Sequence, residues 1–220
     1  MYMILDNQGF DFFKKYEFIF LDFDGVIKES IETKSQCFKK LFKGNNPFLI
    51  EKMIRHHSEN GGLSRFKKIP IYLNWFDLDT SEENIEFFCK KFSALCIEEV
   101  VNSPWVKGIL LFLEKTKLTK NLFLVSATPQ SEIFLILKKL EIDFYFDKIY
   151  GYPNKKEEII RSFLQVNTKK DKVVLIGDSY VDYLSAKKNN VDFILRKTKF
   201  NFKLQKEFNG KCINNFLELS

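Results

Sequence analysis

One stretch near the N-terminus constrains the fold more than any other part of the chain. The apolar run Phe18–Leu21 has no polar alternation, and it leads directly into Asp22, Phe23, Asp24 and Gly25. Such a run is typical of a strand that is covered on both faces, as in a parallel sheet. The two carboxylates would then leave the strand at its carboxyl end, where open α/β sheets place their ligands. Because buried carboxylates are costly to desolvate, the pair predicts a nearby cation.

The rest of the chain divides into a helical segment and a segment in which strands and helices alternate. Between residues 28 and 103 the apolar spacing is helical, and we predict no strand there. After residue 103 the predicted strands, which alternate with helices, are 121–126, 147–150, 172–176 and 192–195. This alternation predicts right-handed βαβ units around a parallel sheet.

The expected fold class is therefore α/β, with two domains. Residues 1–27 and 104–220 would form a Rossmann-like parallel sheet core with helices on both faces. Residues 28–103 would form an all-helical cap domain inserted after the first strand.

Local signals place the ends of several helices. Ser103 and Pro104 predict the start of a helix that continues to Lys117, because serine caps helices and proline suits the first turn. Thr80 and Glu83 have the spacing of a capping box before a long amphipathic helix. Further helices are predicted near 31–42, 47–57, 64–73, 129–140, 156–165 and 180–189. A turn at 209–210 would let residues 213–219 return to the edge of the core.

Composition narrows the class of partner. The net charge is +6, but the basic residues occur as separate lysine pairs instead of a dense stripe. We therefore expect small anionic substrates and no nucleic acid. Four cysteines without C-x-x-C spacing argue against zinc and for free thiols in a reducing compartment. Without an evident signal peptide or an apolar run long enough for a bilayer, we expect a cytoplasmic protein with no membrane and no obligate protein partner.

Three further polar clusters follow predicted strands, at the edge of the sheet where the first carboxylate pair is expected. They supply two carboxylates, two hydroxyls and a lysine pair. The residues are Ser126, Thr128, Lys155, Lys156, Asp178 and Asp182. This combination suits phosphoryl transfer, in which a protein positions the reactants and neutralises charge on the transferring group.

The four segments, in this order, resemble the signature segments of the haloacid dehalogenase-like hydrolase superfamily over about residues 17–196. The resemblance implies a member with a helical cap after the first strand, similar to phosphoglycolate phosphatases and β-phosphoglucomutase. It implies that Asp22 is the nucleophile that forms an aspartyl-phosphate, and that Asp24 is the general acid and base. Ser126 would bind the phosphoryl oxygens, and Lys156 would screen the charge between nucleophile and phosphate.

The resemblance also implies Mg²⁺. The carboxylates of Asp22 and Asp178 and the backbone carbonyl of Asp24 would bind it, since magnesium prefers oxygen ligands. Asp182 would either bind the metal through water or orient Asp178 and the lysine. The family spacing Pro-x-x-Lys favours Lys156 as that lysine. Lys155 is the alternative, and neighbouring helix positions diverge by roughly 100°, so only one of the two should reach the site.

The stretch at 55–65 resembles the substrate-selecting cap loop of members that handle phosphosugars. Gly61 and Gly62 would let this loop approach the phosphate, so that His57 or Arg65 contacts the substrate. The alternative is a helix end with exposed basic residues. Thr128, close to Ser126 in sequence, is a third candidate for substrate binding.

The expected function is a Mg²⁺-dependent phosphatase that hydrolyses a small phosphorylated metabolite, with a sugar phosphate as the first hypothesis. Asp24 argues against the dehalogenase branch, which lacks this carboxylate, and no cap segment identifies the Schiff-base lysine that a phosphonatase needs. A phosphosugar mutase of the β-phosphoglucomutase type is an alternative, because mutases share all four segments. A non-catalytic binding scaffold on the same fold is the alternative from a different class.

Overall fold

The strand formed by Phe18–Leu21, β1, lies at the centre of a parallel sheet in a computed structural model that describes residues 13–167 and 169–219. The six strands have the order β3-β2-β1-β4-β5-β6. The others are β2 (Asn121–Pro129), β3 (Lys148–Tyr152), β4 (Val173–Gly177), β5 (Asp192–Arg196) and β6 (Cys212–Ile213). Most of the segment used for the signal-peptide prediction, residues 1–12, lies outside the described residues.

β1 has its position because both of its faces are apolar. Ile19 and Leu21 belong to the apolar cluster on one side of the sheet, and Phe20 belongs to the cluster on the other side. Phe20 pairs in register with Phe123 of β2 and Leu175 of β4. This is the arrangement that the continuous apolar run predicts for a central parallel strand.

Helices cover both faces of the sheet. The core helices are α5 (Ile109–Lys117), α6 (Gln130–Lys139), α7 (Lys156–Val166), α8 (Tyr180–Asn189) and the short α9 (Phe202–Glu207). Residues of α5 and α6 pack on the side of Ile19, whereas residues of α7 and α8 pack on the side of Phe20. The predicted α/β fold class is confirmed.

Four helices between β1 and β2 form the cap. They are α1 (Ile31–Leu41), α2 (Pro47–Glu59), α3 (Arg65–Trp75) and α4 (Glu82–Asn102). They enclose an apolar cluster of their own that includes Phe38, Met53, Tyr72 and Phe92, all buried. The helical insert is thus present as predicted, and the division at residues 27/28 and 103/104 stays a prediction.

The two segments that connect cap and core run side by side. Lys28 and Trp105 form an antiparallel bridge, and the N–H of Glu29 donates to the carbonyl of Pro104 at 2.8 Å. The buried Lys28 ammonium donates to the carbonyl of Val101 at 3.0 Å and lies 4.1 Å from the centre of the Trp105 ring. The cap is therefore attached through one two-stranded connection.

The helix predicted to begin at Pro104 begins five residues later. The Ser103 hydroxyl donates to the carbonyl of Val100 at 2.7 Å, so this serine ends α4 instead of starting the next helix. α5 starts after Gly108, whose φ of 81° requires glycine and whose Cβ position lies 2.7 Å from the backbone nitrogen of Leu217.

Other boundaries differ in smaller ways. β2 continues to Pro129 instead of ending at Ser126, and its pairing with β3 is interrupted between Val125 and Pro129. Ser81 caps α4 in place of Thr80, because its hydroxyl accepts from the N–H of Asn84. The short α9 was not predicted. The C-terminal return is present as β6 and a 3₁₀ turn at Phe216–Leu219.

Two expectations from composition concern thiols and membranes. The four cysteines are free, and Cys37, Cys89 and Cys96 are buried in the cap. None of the helices in the described residues combines the length and apolar character needed to cross a membrane.

Candidate active site

The two carboxylates after β1 have different partners. The buried Asp22 carboxylate lies 2.8 Å from the Nζ of Lys156, which belongs to the core helix α7. The Asp24 carboxylate accepts from the Ser30 hydroxyl and from the Nζ of Lys34, each at 2.6 Å. Ser30 and Lys34 lie at the start of the cap. Asp22 is thus held within the core, whereas Asp24 links the core to the cap.

The pKa values of the two carboxylates are shifted in opposite directions. Burial raises the pKa of Asp22, and this effect outweighs the attraction of the Lys156 ammonium. Burial alone would also raise the pKa of Asp24, but the Lys34 ammonium holds it below its ordinary value. Asp24 is therefore ionised at neutral pH, whereas Asp22 needs a further positive charge to be fully ionised.

Gly25 lets the chain turn at the end of β1 and brings a second strand end close. Its φ is 75°, and a Cβ at this position would lie 2.5 Å from Oδ2 of Asp178. A side chain would be strained by the backbone and would displace the carboxylate.

The second carboxylate pair, Asp178 and Asp182, follows the end of β4. Asp182 is the third residue of α8, where its carboxylate accepts from the N–H and hydroxyl of Ser179 at 3.0 and 2.6 Å and from Lys156 at 2.5 Å. Asp178 is also buried. Within the described residues, its carboxylate has no hydrogen-bond donor and no ion pair.

A carboxylate oxygen from each of Asp22, Asp178 and Asp182 lies within 4.8 Å of the other two. Burial raises the pKa of Asp178 well above its ordinary value, and the negative charges of Asp22 and Asp182 raise it further. An unpaired buried carboxylate beside a second one is a site that a small divalent cation would stabilise. The donor set is all oxygen, which fits Mg²⁺.

The two candidate lysines have different environments. Lys156 is buried between Asp22 and Asp182. Burial alone would lower the pKa of its ammonium, but these two carboxylates raise it well above the ordinary value. Lys155 is exposed and pairs with Glu158 at 2.7 Å. The structure therefore places Lys156, and not Lys155, at the strand ends.

Ser126 and Thr128 lie on β2 at the same edge of the sheet, and both are buried. The Ser126 hydroxyl accepts from the N–H of Thr128 at 3.1 Å. The Thr128 hydroxyl accepts from Lys34 at 2.9 Å. Thr128 therefore contacts the cap, while Ser126 is held by backbone of its own strand.

The two cap residues predicted to contact substrate are both buried and already have partners. His57 lies 3.0 Å from the Nζ of Lys68 through Nδ1 and packs against the Phe38 ring. Arg65 forms an ion pair with Glu132 of the core helix α6. Both line a cavity between cap and strand ends that also contains Asp24, Thr128 and Asp178. The alternative is right that a helix ends here, since α2 ends at Glu59, but His57 and Arg65 are not exposed: His57 is buried among cap residues and Arg65 against the core helix α6.

The glycine pair permits this close approach of the cap loop. A Cβ on Gly62 would lie 2.5 Å from the Ser179 hydroxyl and 2.7 Å from Cβ of Val181. A Cβ on Gly61 would meet nothing nearer than 4.0 Å. Gly62 is thus the position at which the loop contacts the core.

Lys34 and Lys68 also line the cavity between cap and strand ends, and Glu132 is the partner of Arg65, which lines it; none of the three was predicted from the sequence. A signal was present in the spacing. Lys34 follows the buried Ile31 by three residues and precedes the buried Phe38 by four. Lys68 and Glu132 likewise precede a buried apolar side chain by four residues. A charged residue on the apolar stripe of a helix indicates that its partner lies in the interior.

Comparisons with known proteins agree with this geometry. The chain matches the family described as haloacid dehalogenase-like hydrolase over residues 19–196, which include all four polar segments. No curated protein matches the chain.

Solved structures with a similar fold include the β-phosphoglucomutase of Clostridium difficile, at 19% identity and a TM-score of 0.72 over 93% of both chains. CbbY from Rhodobacter sphaeroides, solved in complex with phosphate, has 16% identity and a TM-score of 0.74 over 93% of this chain and 96% of that chain. A predicted phosphoglycolate phosphatase of Haemophilus somnus has 15% identity and a TM-score of 0.72 over 94% and 97%. These TM-scores show a common fold, and the family match spans most of the sequence. The chain belongs to the haloacid dehalogenase-like hydrolase family.

Proposed function

We propose that the protein is a Mg²⁺-dependent phosphatase that hydrolyses a small phosphorylated metabolite through an aspartyl-phosphate on Asp22. One observation carries the proposal. Asp22 lies 2.8 Å from the ammonium of Lys156 and within 4.8 Å of a carboxylate oxygen of Asp178, which has no partner in the described residues, at the edge of the sheet where Ser126 also lies. This arrangement supplies a nucleophile, a cation beside it and a place for a metal ion.

In the first step, a carboxylate oxygen of Asp22 attacks phosphorus and the bond from phosphorus to the ester oxygen breaks. The leaving oxygen takes a proton from Asp24. In the second step, water attacks the aspartyl-phosphate and gives its proton to Asp24, and phosphate leaves Asp22. Lys156 and the Ser126 hydroxyl stabilise the negative charge on the phosphoryl oxygens in both steps.

The ion pair between Asp24 and Lys34 matters for the direction of proton transfer. With Lys34 at 2.6 Å, Asp24 is a carboxylate that is ready to accept a proton from water. Before Asp24 can donate a proton to the leaving oxygen, it must lose its contact with Lys34 and bind a proton. Because Lys34 belongs to the cap, displacement of the cap would release Asp24 to be protonated.

The carboxylates of Asp22 and Asp178 and the backbone carbonyl of Asp24 would hold Mg²⁺, which supplies positive charge beside the transferring phosphoryl group. Asp182 already accepts from Lys156 and Ser179. We therefore assign Asp182 to orienting the lysine.

Hydrolysis of p-nitrophenyl phosphate with Mg²⁺ tests the proposal. We expect Asp22→Asn and Lys156→Met to lower kcat/KM by roughly 1,000-fold or more, as for groups that act as a unit at the reacting centre. Lys155→Met is the matched control, and its activity should stay close to that of the wild type. Activity in Asp22→Asn equal to that of the wild type would refute the assignment of the nucleophile.

The mutase alternative is tested in the same assay series. Incubation with β-glucose 1-phosphate should release inorganic phosphate or leave the ester unchanged. Formation of an isomeric sugar phosphate without net phosphate release would replace the phosphatase proposal.

A further inference from the structure

More basic than acidic side chains line the cavity under the cap. Lys34, Arg65 and Lys68 line it from the cap side, and Asp24 and Asp178 line it from the core. Lys34 is paired with Asp24, and Arg65 is paired with Glu132. Lys68 is 1% exposed and has no carboxylate within ion-pair distance in the described residues.

The partner that Lys68 does have is neutral. Its Nζ lies 3.0 Å from Nδ1 of His57 and 3.4 Å from the carbonyl of the same residue. Burial holds the pKa of His57 well below its ordinary value, and the charges of Lys68 and Lys34 lower it further. The imidazole can therefore accept a hydrogen bond from the ammonium but cannot neutralise it.

Ser64, which also lines the cavity, has a side chain without a hydrogen-bond partner in the described residues. The hydroxyl of Ser64 is buried and makes no hydrogen bond among the described residues, although serine at this position before α3 commonly caps the helix. Ser64 and Lys68 line the same cavity. A buried hydroxyl without a partner and a buried lysine without a carboxylate partner, both lining one cavity, form a site that a small anionic acceptor would complete.

The size of the cavity limits that acceptor. The space open to the centres of water-sized molecules is about 40 Å³. This volume holds roughly three waters, which suits a group of the size of a carboxylate. Leu63 and Ser64 also line an adjoining cavity of about 410 Å³, together with Ser126 and Lys156, which has room for the rest of a phosphate ester.

We propose that Lys68 and Ser64 bind a carboxylate on the substrate, so that the enzyme acts on small phosphorylated carboxylic acids in preference to neutral phosphate esters. The inference rests on the proposed phosphatase function and narrows its substrate class. Burial and the charge of Lys34 lower the pKa of Lys68 to about 7, although the carboxylates of Asp24 and Asp178 act in the opposite direction. A lowered pKa is the direction expected for a cation whose anionic partner comes with the ligand.

Matched pairs of substrates test the proposal. Phosphoglycolate is compared with 2-hydroxyethyl phosphate, and 3-phosphoglycerate with glycerol 3-phosphate, so that each pair differs in the carboxylate. We expect the wild type to have a kcat/KM for each acid at least about 10-fold higher than for the matched alcohol. The range for one buried charged hydrogen bond is roughly 10- to 100-fold.

The variant Lys68→Met should reduce this acid-to-alcohol ratio to near 1, mainly through a higher KM for the acids. The exposed neighbour offers the control, since Lys67→Met should keep the wild-type ratio. A wild type that releases phosphate from both members of each pair with equal efficiency overturns the inference and leaves the phosphatase proposal intact. If the wild type releases phosphate neither from these four esters nor from p-nitrophenyl phosphate, the phosphatase proposal is overturned, and this inference is overturned with it. The wild-type ratio tests the substrate class even if Lys68→Met does not fold, and a folded Lys68→Met variant that keeps the wild-type ratio overturns the assignment of Lys68.

Discussion

The ion pair between Arg65 and Glu132 should be among the strongest single contacts between cap and core. Arg65 lies on α3 and Glu132 on α6, and their side chains are only 5% and 6% exposed. The Ser93 hydroxyl donates to Glu132 at 2.7 Å and accepts from Arg65 at 2.5 Å, so the three groups form a closed network. The Arg65 guanidinium also lies 4.8 Å from the centre of the Phe92 ring.

Removing one partner leaves the other charge buried without compensation. Breaking a buried pair in this way typically costs about 3–5 kcal/mol. For a chain of this size, 1 kcal/mol changes Tm by about 2–4 °C, so Arg65→Met should lower Tm by roughly 6–20 °C. Methionine keeps the packing against Phe92, so the loss reports the charge.

A double-mutant cycle of Arg65→Met and Glu132→Gln, followed by urea denaturation, measures the coupling. We expect the double variant to be more stable than the two single effects predict by at least about 1.5 kcal/mol. Lys139 and Glu98 provide the control, because they also join core and cap, at 2.6 Å, but are 39% and 65% exposed. If the buried pair shows no more coupling than this exposed pair, the assignment of Arg65 as a buried anchor is wrong, and its role as a substrate contact becomes the better explanation.

Three further predictions concern the site. Gly62→Ala should lower kcat/KM at least about 10-fold, because its methyl group would collide with Ser179 across the cap–core contact, while Gly61→Ala stays within about 2-fold of the wild type. Equal effects of the two substitutions would contradict this. Lys34→Met removes the cation that holds the pKa of Asp24, the proposed acid and base, below its ordinary value. Because kcat/KM covers the first step, in which Asp24 donates a proton, the basic limb of the kcat/KM–pH profile should move to higher pH; an unchanged limb would show that the ion pair is absent in solution. Asp178 binds a proton more tightly in the folded metal-free protein than in the unfolded chain, so metal-free stability should fall as pH rises above the ordinary carboxyl pKa of about 3.9. Asp178→Asn should flatten that slope and abolish the rise in Tm on adding Mg²⁺, and a Tm increase equal to that of the wild type would exclude Asp178 as a ligand.

The parts of the fold that the sequence predicts well are those specified by local chemistry. The run Phe18–Leu21 is apolar on both faces, which only a central strand satisfies. The helix Tyr180–Asn189 has the predicted ends, because Ser179 and Asp182 form a reciprocal cap within four residues. In both cases the features that determine the structure lie within a few consecutive residues of the sequence.

The residues that were missed depend on contacts distant in sequence. Lys34 contacts Thr128, 94 residues away, and Glu132 contacts Arg65, 67 residues away. Lysine and glutamate on a helix usually face solvent, and only the position on the apolar stripe shows that Lys34 and Glu132 are buried. The start of α5 was misplaced for a related reason, since Ser103 caps the end of one helix where the sequence allowed it to cap the start of the next.

The paired connection at Lys28 and Trp105 has a consequence for how this chain can change over time. Because the backbone leaves and re-enters the core at neighbouring residues, all six strands of the sheet come from outside the roughly 75 residues in between. A change within that span that keeps Ser30 and Lys34, which hold Asp24, would alter the cap and leave the strand ends with Asp22 and Asp178 in place. Most of the residues proposed to select the substrate therefore lie in a different stretch of the chain from those proposed to carry the chemistry, and Asp24 is the point at which the two stretches depend on each other.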